Sequence, residues 1–217
     1  MRLLRKTIRK LIQEEACATL NHKIYDALEY AMEQGMSLEY GLYPDFVTVR
    51  LTQVLKNNEL VGFVEGTKDV QSHGGKCHGA YVVGMARIYK PEHRDVGLGA
   101  LLYDIALELA GDDGLAADRF SVSDDAIRNW RYFHRSSDYI KKPLDNSQGS
   151  YTDDPIDDCD GQSYKDHDPI MPDDPKTGIP TKEEYQYHSL NNVYIKKDKS
   201  KPTLECMKAN DMIHKVH

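Results

Sequence analysis

The chain of 217 residues is long enough for one domain of ordinary size with an appendage and too short for two full domains. Its formal charge of −7 argues against general nucleic-acid binding by the whole chain, although local basic patches remain. No apolar run approaches the roughly 20 residues of a bilayer span, no signal-peptide core follows the basic start, and Cys17, Cys77, Cys159 and Cys206 contain no Cys-x-x-Cys pair, which together read as a reduced, cytoplasmic protein.

Residues 1–18 place Arg2, Arg5, Lys6, Arg9 and Lys10 among Leu3, Leu4, Ile8, Leu11 and Ile12, the pattern of a basic amphipathic helix. Such a helix packs its apolar stripe on the domain, or docks on another protein or an anionic partner. A second helix is predicted from about Asn21 to Gln34, with Ile24, Ala27, Leu28 and Ala31 at helical spacing and Gly35 just beyond its end. Strands are predicted at Phe46 to Leu55 and Leu60 to Glu65, joined as a hairpin through Lys56-Asn57-Asn58-Glu59. Residues 66–77 read as a loop, and Tyr81 to Tyr89 as the next strand. His73, Cys77 and His78 lie in and beside that loop but lack the remaining ligands of a structural zinc site, so no metal is expected.

After a helix through Ala100 to Ala110, Gly111-Asp112-Asp113-Gly114 turns the chain into a short strand at Leu115 to Val122. Ser123 or Asp124 caps a helix that runs through Trp130 to about His134. From residue 142 to 181 the character changes: nine aspartates fall between Asp153 and Asp174, with Pro155, Pro169, Pro172, Pro175 and Pro180, and few aliphatic side chains, as in an irregular excursion. Asp158-Cys159-Asp160-Gly161 is no calcium loop, because Ile156 and His167 would occupy carboxylate positions. Residues 182–217 are expected to return to the core as a strand near Asn192 to Lys197 and a helix from about Thr203 to Lys215.

The most informative stretch is Pro91-Glu-His-Arg-Asp-Val-Gly-Leu-Gly-Ala100, between a strand and a helix. Gly97 and Gly99 let consecutive N–H groups approach an anion, the helix they open adds its partial positive charge, and Arg94 supplies a cation. This is a cradle for a pyrophosphate. A dinucleotide fingerprint requires a third glycine, and residue 102 is Leu.

Arg-x-x-Gly-x-Gly in this setting resembles the acetyl-coenzyme A loop of the GNAT N-acetyltransferase superfamily, over about residues 20–140. The resemblance implies an α+β, three-layer fold with a mixed, mostly antiparallel sheet flanked by helices, and direct transfer of acetyl from acetyl-CoA to an amine acceptor. It implies that Arg94, Asp95, Val96, Gly97, Leu98, Gly99 and Ala100 hold the pyrophosphate, and that backbone groups of Arg87 and Tyr89 hold the acetyl and pantetheine. Ser123 stands where the family has a pantetheine-contacting Asn, and Trp130 where it has a proton-donating Tyr. Tryptophan cannot give that proton, which leaves Tyr132, roughly 200° further around the helix, as the candidate acid. Glu65 is the candidate base by location. Because Trp130 replaces the acid, the resemblance also admits an inactive binding or virion component, and the basic start admits a nucleic-acid base-modifying enzyme. Residues 121–145 resemble a segment found after the core in GNAT-like proteins of tailed bacteriophages, and residues 5–15 resemble leaders of phage-encoded proteins. That implies a phage source, in the host cytoplasm or the virion, and a phage or host protein as partner.

Overall fold

The computed structural model describes residues 15–68, 79–118, 122–144, 189–190 and 192–216. Helix α1 (His22–Glu33) starts at Asn21, whose side-chain oxygen accepts the Lys23 N–H, and its buried stripe is Ile24, Ala27, Leu28 and Ala31. Strands β1 (Met36–Tyr43), β2 (Phe46–Gln53) and β3 (Glu59–Thr67) follow as antiparallel neighbours. Asn57 and Asn58, both at φ 56, carry the chain from β2 to β3 in the left-handed geometry that asparagine tolerates. Strand β1 does not announce itself in the sequence. Its Gly41 and its lack of clean alternation hide a strand that is defined by pairing with β2 along its whole length, from Met36 opposite Gln53 to Tyr43 opposite Phe46.

Strand β4 (Tyr81–Ile88) leads through a short 3-10 turn (Pro91–His93) into helix α2 (Leu98–Ala110). Strand β5 (Leu115–Ala116), helix α3 (Asp124–Arg135) and strand β6 (Tyr139–Pro143) come next, then strand β7 (Asn192–Lys196), helix α4 (Pro202–Ala209) and strand β8 (Ile213–Val216). The eight strands form one sheet in the order β6-β7-β5-β4-β3-β2-β1-β8. Only β4 with β5 and β1 with β8 run parallel; the other neighbours are antiparallel. The sheet is therefore mixed and mostly antiparallel, and with its helices the fold is α+β.

Helix α2 is the centre of the core: every residue from Ala100 to Ala110 is buried. Two of those residues are acids, and both are satisfied. Asp104 accepts from Tyr139 Oη, Lys196 Nζ and Thr203 Oγ1, each at 2.6 Å. Glu108 accepts from Lys196 Nζ at 2.6 Å and from the Thr203 and Leu204 N–H groups at 2.8 and 2.9 Å, so it caps α4 from across the core. Burial would lower the Lys196 pKa, but the two carboxylates override it and leave the ammonium held above its usual value.

Several expectations are corrected. Among the described residues of the strand predicted over 115–122, only Leu115–Ala116 pair in the sheet. The helix predicted over 203–215 stops at Ala209, where Asn210 ends it and Asp211 at φ 55 turns the chain into β8. Lys142 and Pro143 belong to β6 rather than to an irregular excursion. Cys17 and Cys206 are joined by a disulfide, so this pair is not reduced as the spacing suggested. Spacing along the chain cannot report a contact between residues 189 positions apart. The basic stretch 1–14, the histidines and cysteine at 73–78, and the Asp-rich segment lie outside the described residues. Among the described residues no helix is long and apolar enough to cross a membrane.

Candidate active site

Strands β4 and β5 pair only at Tyr81 with Leu115 and Val82 with Ala116. Immediately beyond, the β3–β4 register slips: Gly66 faces Val83 but Glu65 faces Met85, which makes Gly84 an extra residue in β4. Such a bulge bends and twists its strand. It turns β4 away from β5, and from Gly84 to Ile88 β4 runs on with β3 on one side and an opening on the other.

The opening leads to the glycine loop. His93 is buried at 4% exposure, and its Nδ1 lies 2.9 Å from the hydroxyl of Tyr30, which ties the turn before the loop to α1. Gly97 then takes φ 85, a left-handed value that a side chain would strain, and a Cβ there would stand 3.2 Å from the Cβ of Ala27 in α1. At Gly99 a Cβ would stand 3.0 Å from Asn129 Nδ2 of α3. The two glycines thus let the N-terminus of α2 fit between α1 and α3, with no side chain capping its first N–H groups.

A cleft of about 350 Å³ joins the opening to the loop. Strands β3 and β4 contribute Phe63, Val64, Ala86, Arg87 and Ile88; the loop contributes Arg94, Asp95, Gly97, Gly99 and Ala100; α3 contributes Ser123, Ala126, Arg128 and Asn129. Lys23 of α1 and Tyr103 of α2 complete its charged and phenolic lining. Three guanidinium groups, of Arg87, Arg94 and Arg128, line the cleft with the carboxylates of Asp95 and Asp125, and Asp125 is already paired with Arg128, while the Lys23 ammonium lies over the Tyr132 ring. Arg94 stands in the loop itself, where a pyrophosphate would bring negative charge. A slot between two diverging parallel strands, ending on a glycine loop and a helix N-terminus, is suited to an extended pantetheine with its phosphates at one end. Comparison with known families gives the same reading: a model of the Acetyltransferase (GNAT) family matches residues 7–138. The chain belongs to the GNAT acetyltransferase family. No curated protein and no solved structure gave a match.

Of the residues singled out in the sequence, the structure gathers Arg87, Arg94, Asp95, Gly97, Gly99, Ala100 and Ser123 around the cleft. Val96 and Leu98 lie in the same loop but outside its lining, and Leu98 is buried in the core. Tyr89 lies beyond the lining, stacked on Phe63 at 6.0 Å with the Arg87 guanidinium 5.2 Å from its ring. Ser123 is the N-cap of α3, its hydroxyl accepting the Ala126 N–H at 3.3 Å.

The two proposed catalytic side chains are both outside the cleft lining. Tyr132 is half-buried on α3, 5.3 Å from the Phe133 ring and 6.4 Å from that of Tyr139, with Lys23 Nζ 4.3 Å from its own ring centre. Burial, with Asp104 and Asp138 nearby, pushes its pKa up to about 12. Glu65 accepts from Arg50 Nη2 at 3.0 Å and from Thr48 Oγ1 at 3.4 Å. Its register places it on the sheet face that also carries Phe63 and Arg87, two residues from the cleft mouth.

Lys23, Tyr103, Arg128 and Asn129 were not legible as site residues. For Asn129 a signal exists: Ser123, Ala126 and Asn129 are three apart, so they share one helix face. For Lys23 and Tyr103 no local signal exists, because the packing of α1 and α2 beside the loop alone places them there.

Proposed function

We propose that the protein is an N-acetyltransferase that moves the acetyl group of acetyl-CoA to an amine by direct attack. The observation that carries this reading is the continuity of the β4–β5 opening with the glycine loop, under a surplus of cationic side chains. The residues present fit the group: N–H groups of Val96 to Ala100, with Arg94, would hold the pyrophosphate, and the free edge of β4 at Ala86 to Ile88 would hold the pantetheine arm. When bound, acetyl-CoA supplies an acyl group already activated as a thioester. Phe63 and Arg87 flank the way from the cleft to the open sheet face, so the acceptor enters from that face. Glu65, on the same face, takes the proton that the amine must lose, directly or through water. The resemblance of residues 121–145 to a phage segment supports a phage-encoded enzyme whose acceptor or partner is a phage or host molecule.

Isothermal titration with acetyl-CoA tests the cofactor assignment. Saturable binding well below millimolar ligand is expected; none at millimolar, roughly −4 kcal/mol on the affinity scale, removes it. Glu65→Gln should then lower acetyl transfer by about 10²-fold or more with cofactor affinity unchanged.

A further inference from the structure

Resting on the acetyltransferase reading, we propose that a hollow on the open face of β1 and β2 holds the distal ammonium of an elongated polyamine acceptor. Along β2 the side chains of Val47, Val49 and Leu51 enter the core, so Phe46, Thr48 and Arg50 face the other way. The register sets Tyr43 opposite Phe46, Gly41 opposite Thr48 and Glu39 opposite Arg50 on that face. Gly41 brings no side chain, which leaves space between the aromatic pair and the charged pair. A cavity of about 230 Å³ lies there, lined by Glu39, Tyr40, Tyr43, Phe46, Thr48 and Arg50. The Tyr43 and Phe46 ring centres are 6.2 Å apart, and the Tyr81 hydroxyl donates to the Tyr43 carbonyl at 3.0 Å, which fixes the end of β1.

Charge decides what the hollow takes. Arg50 is already engaged, its Nη2 donating to Glu65 Oε1 at 3.0 Å, and the Arg87 guanidinium lies 5.2 Å from the Tyr89 ring. Glu39 has no ion pair among the described residues, so the hollow offers an unmatched carboxylate near aromatic rings. That combination suits an alkylammonium, which is attracted by both. The same face leads to the acetyl group: Glu39, Arg50, Phe63 and Arg87 stand in one row across β1, β2, β3 and β4, with Thr48, Glu65 and Met85 in the next. At about 4.8 Å per strand, the hollow lies roughly 12 Å from β4 and the cleft mouth. The acceptor therefore carries two nitrogens at the ends of an extended chain of about that length. A peptide laid here would leave its main-chain N–H and C=O groups without partners, because a sheet face presents side chains and only an edge presents ladder groups. A methylene chain has no such groups, and it covers Phe63 and Met85, the latter 59% exposed. The near ammonium gives one proton to solvent through Glu65. Its electron pair forms the C–N bond as the C–S bond breaks with its pair on sulfur, and a second nitrogen proton ends on the sulfur as the thiol.

The test follows coenzyme A release from acetyl-CoA with octane-α,ω-diamine and with the amino alcohol of the same length, in which a hydroxyl replaces one amine. Calorimetry measures binding of the same pair to the protein in the presence of coenzyme A. Wild type is expected to favour the diamine by about tenfold in kcat/KM and in affinity, beyond the factor of about two that its equivalent ends give. Glu39→Gln brings the diamine down to the level of the amino alcohol, and Tyr43→Leu shrinks the preference severalfold. The corresponding butane pair, too short to span the face, shows no such preference. Equal use of the octane pair by wild type, or a preference that survives in Glu39→Gln, overturns the ammonium site and leaves the acetyltransferase reading standing. The Tyr43→Leu arm decides where Glu39→Gln does not fold. A binding preference that Glu39→Gln loses, without acetyl transfer to any amine, supports the site and overturns the acetyltransferase reading. Neither binding nor transfer overturns both.

Discussion

Gly97 shows how much of the cleft depends on one backbone torsion. At φ 85 an L side chain is strained by about 1–3 kcal/mol, and its Cβ would press on Ala27 of α1. Gly97→Val is expected to shift the loop and weaken coenzyme A binding by tenfold or more, while the circular dichroism spectrum stays that of the folded protein. Wild-type affinity in that variant would mean the loop N–H groups are not the anion site. Asn129 illustrates the opposite case, a polar residue whose position follows from helical spacing once the cap at Ser123 is known.

At the scale of elements, α2 does two unrelated jobs. Its N-terminus opens the cleft, and its middle carries Asp104 and Glu108 into the core, where Lys196 of β7 and the start of α4 meet them. Burial raises the Glu108 pKa, and Lys196 offsets part of that rise. Lys196→Met removes the offset and leaves two buried carboxylates without their cation, a loss of about 3–5 kcal/mol. The sign is set by linkage. A carboxyl with a folded pKa above its unfolded value of about 4 stabilises the fold when protonated, and that stability is lost as pH rises through the folded pKa. The variant should therefore resist urea better at pH 5 than at pH 8, by a larger margin than wild type, in which Lys196 holds part of the Glu108 rise down.

At the scale of the molecule, the disulfide between Cys17 and Cys206 joins the segment before α1 to α4, and Asn210 Nδ2 donates to the Cys206 carbonyl at 2.8 Å beside it. Parallel pairing of β8 with β1 closes the same end of the sheet. A crosslink spanning 189 residues restricts the unfolded chain strongly, so Cys17→Ser should cost about 2–4 kcal/mol. Thermal melts with and without reductant should separate in wild type and coincide in the variant. Coincidence in wild type would show that the bond adds no stability.

What the sequence by itself determined is what short-range physics encodes. Gly97 and Gly99 before an apolar helix, Asn21 and Ser123 at helix starts, and the asparagine pair between β2 and β3 act on their own neighbours, and all were legible. Tertiary structure decided the rest. Strand β1 exists through pairing with β2 along its whole length and β8 through pairing with β1, contacts that no local pattern reports, and β5 meets β4 only at Tyr81 and Val82, before the bulge at Gly84. Tyr103 lines the cleft and Tyr132 does not, and between α2 and α3 the Trp130 ring stands 5.1 Å from Tyr103 and 5.5 Å from Tyr194. Helical spacing gives a residue's direction around its own axis. It does not say which helix stands opposite, and that is where the chemistry of this site is set.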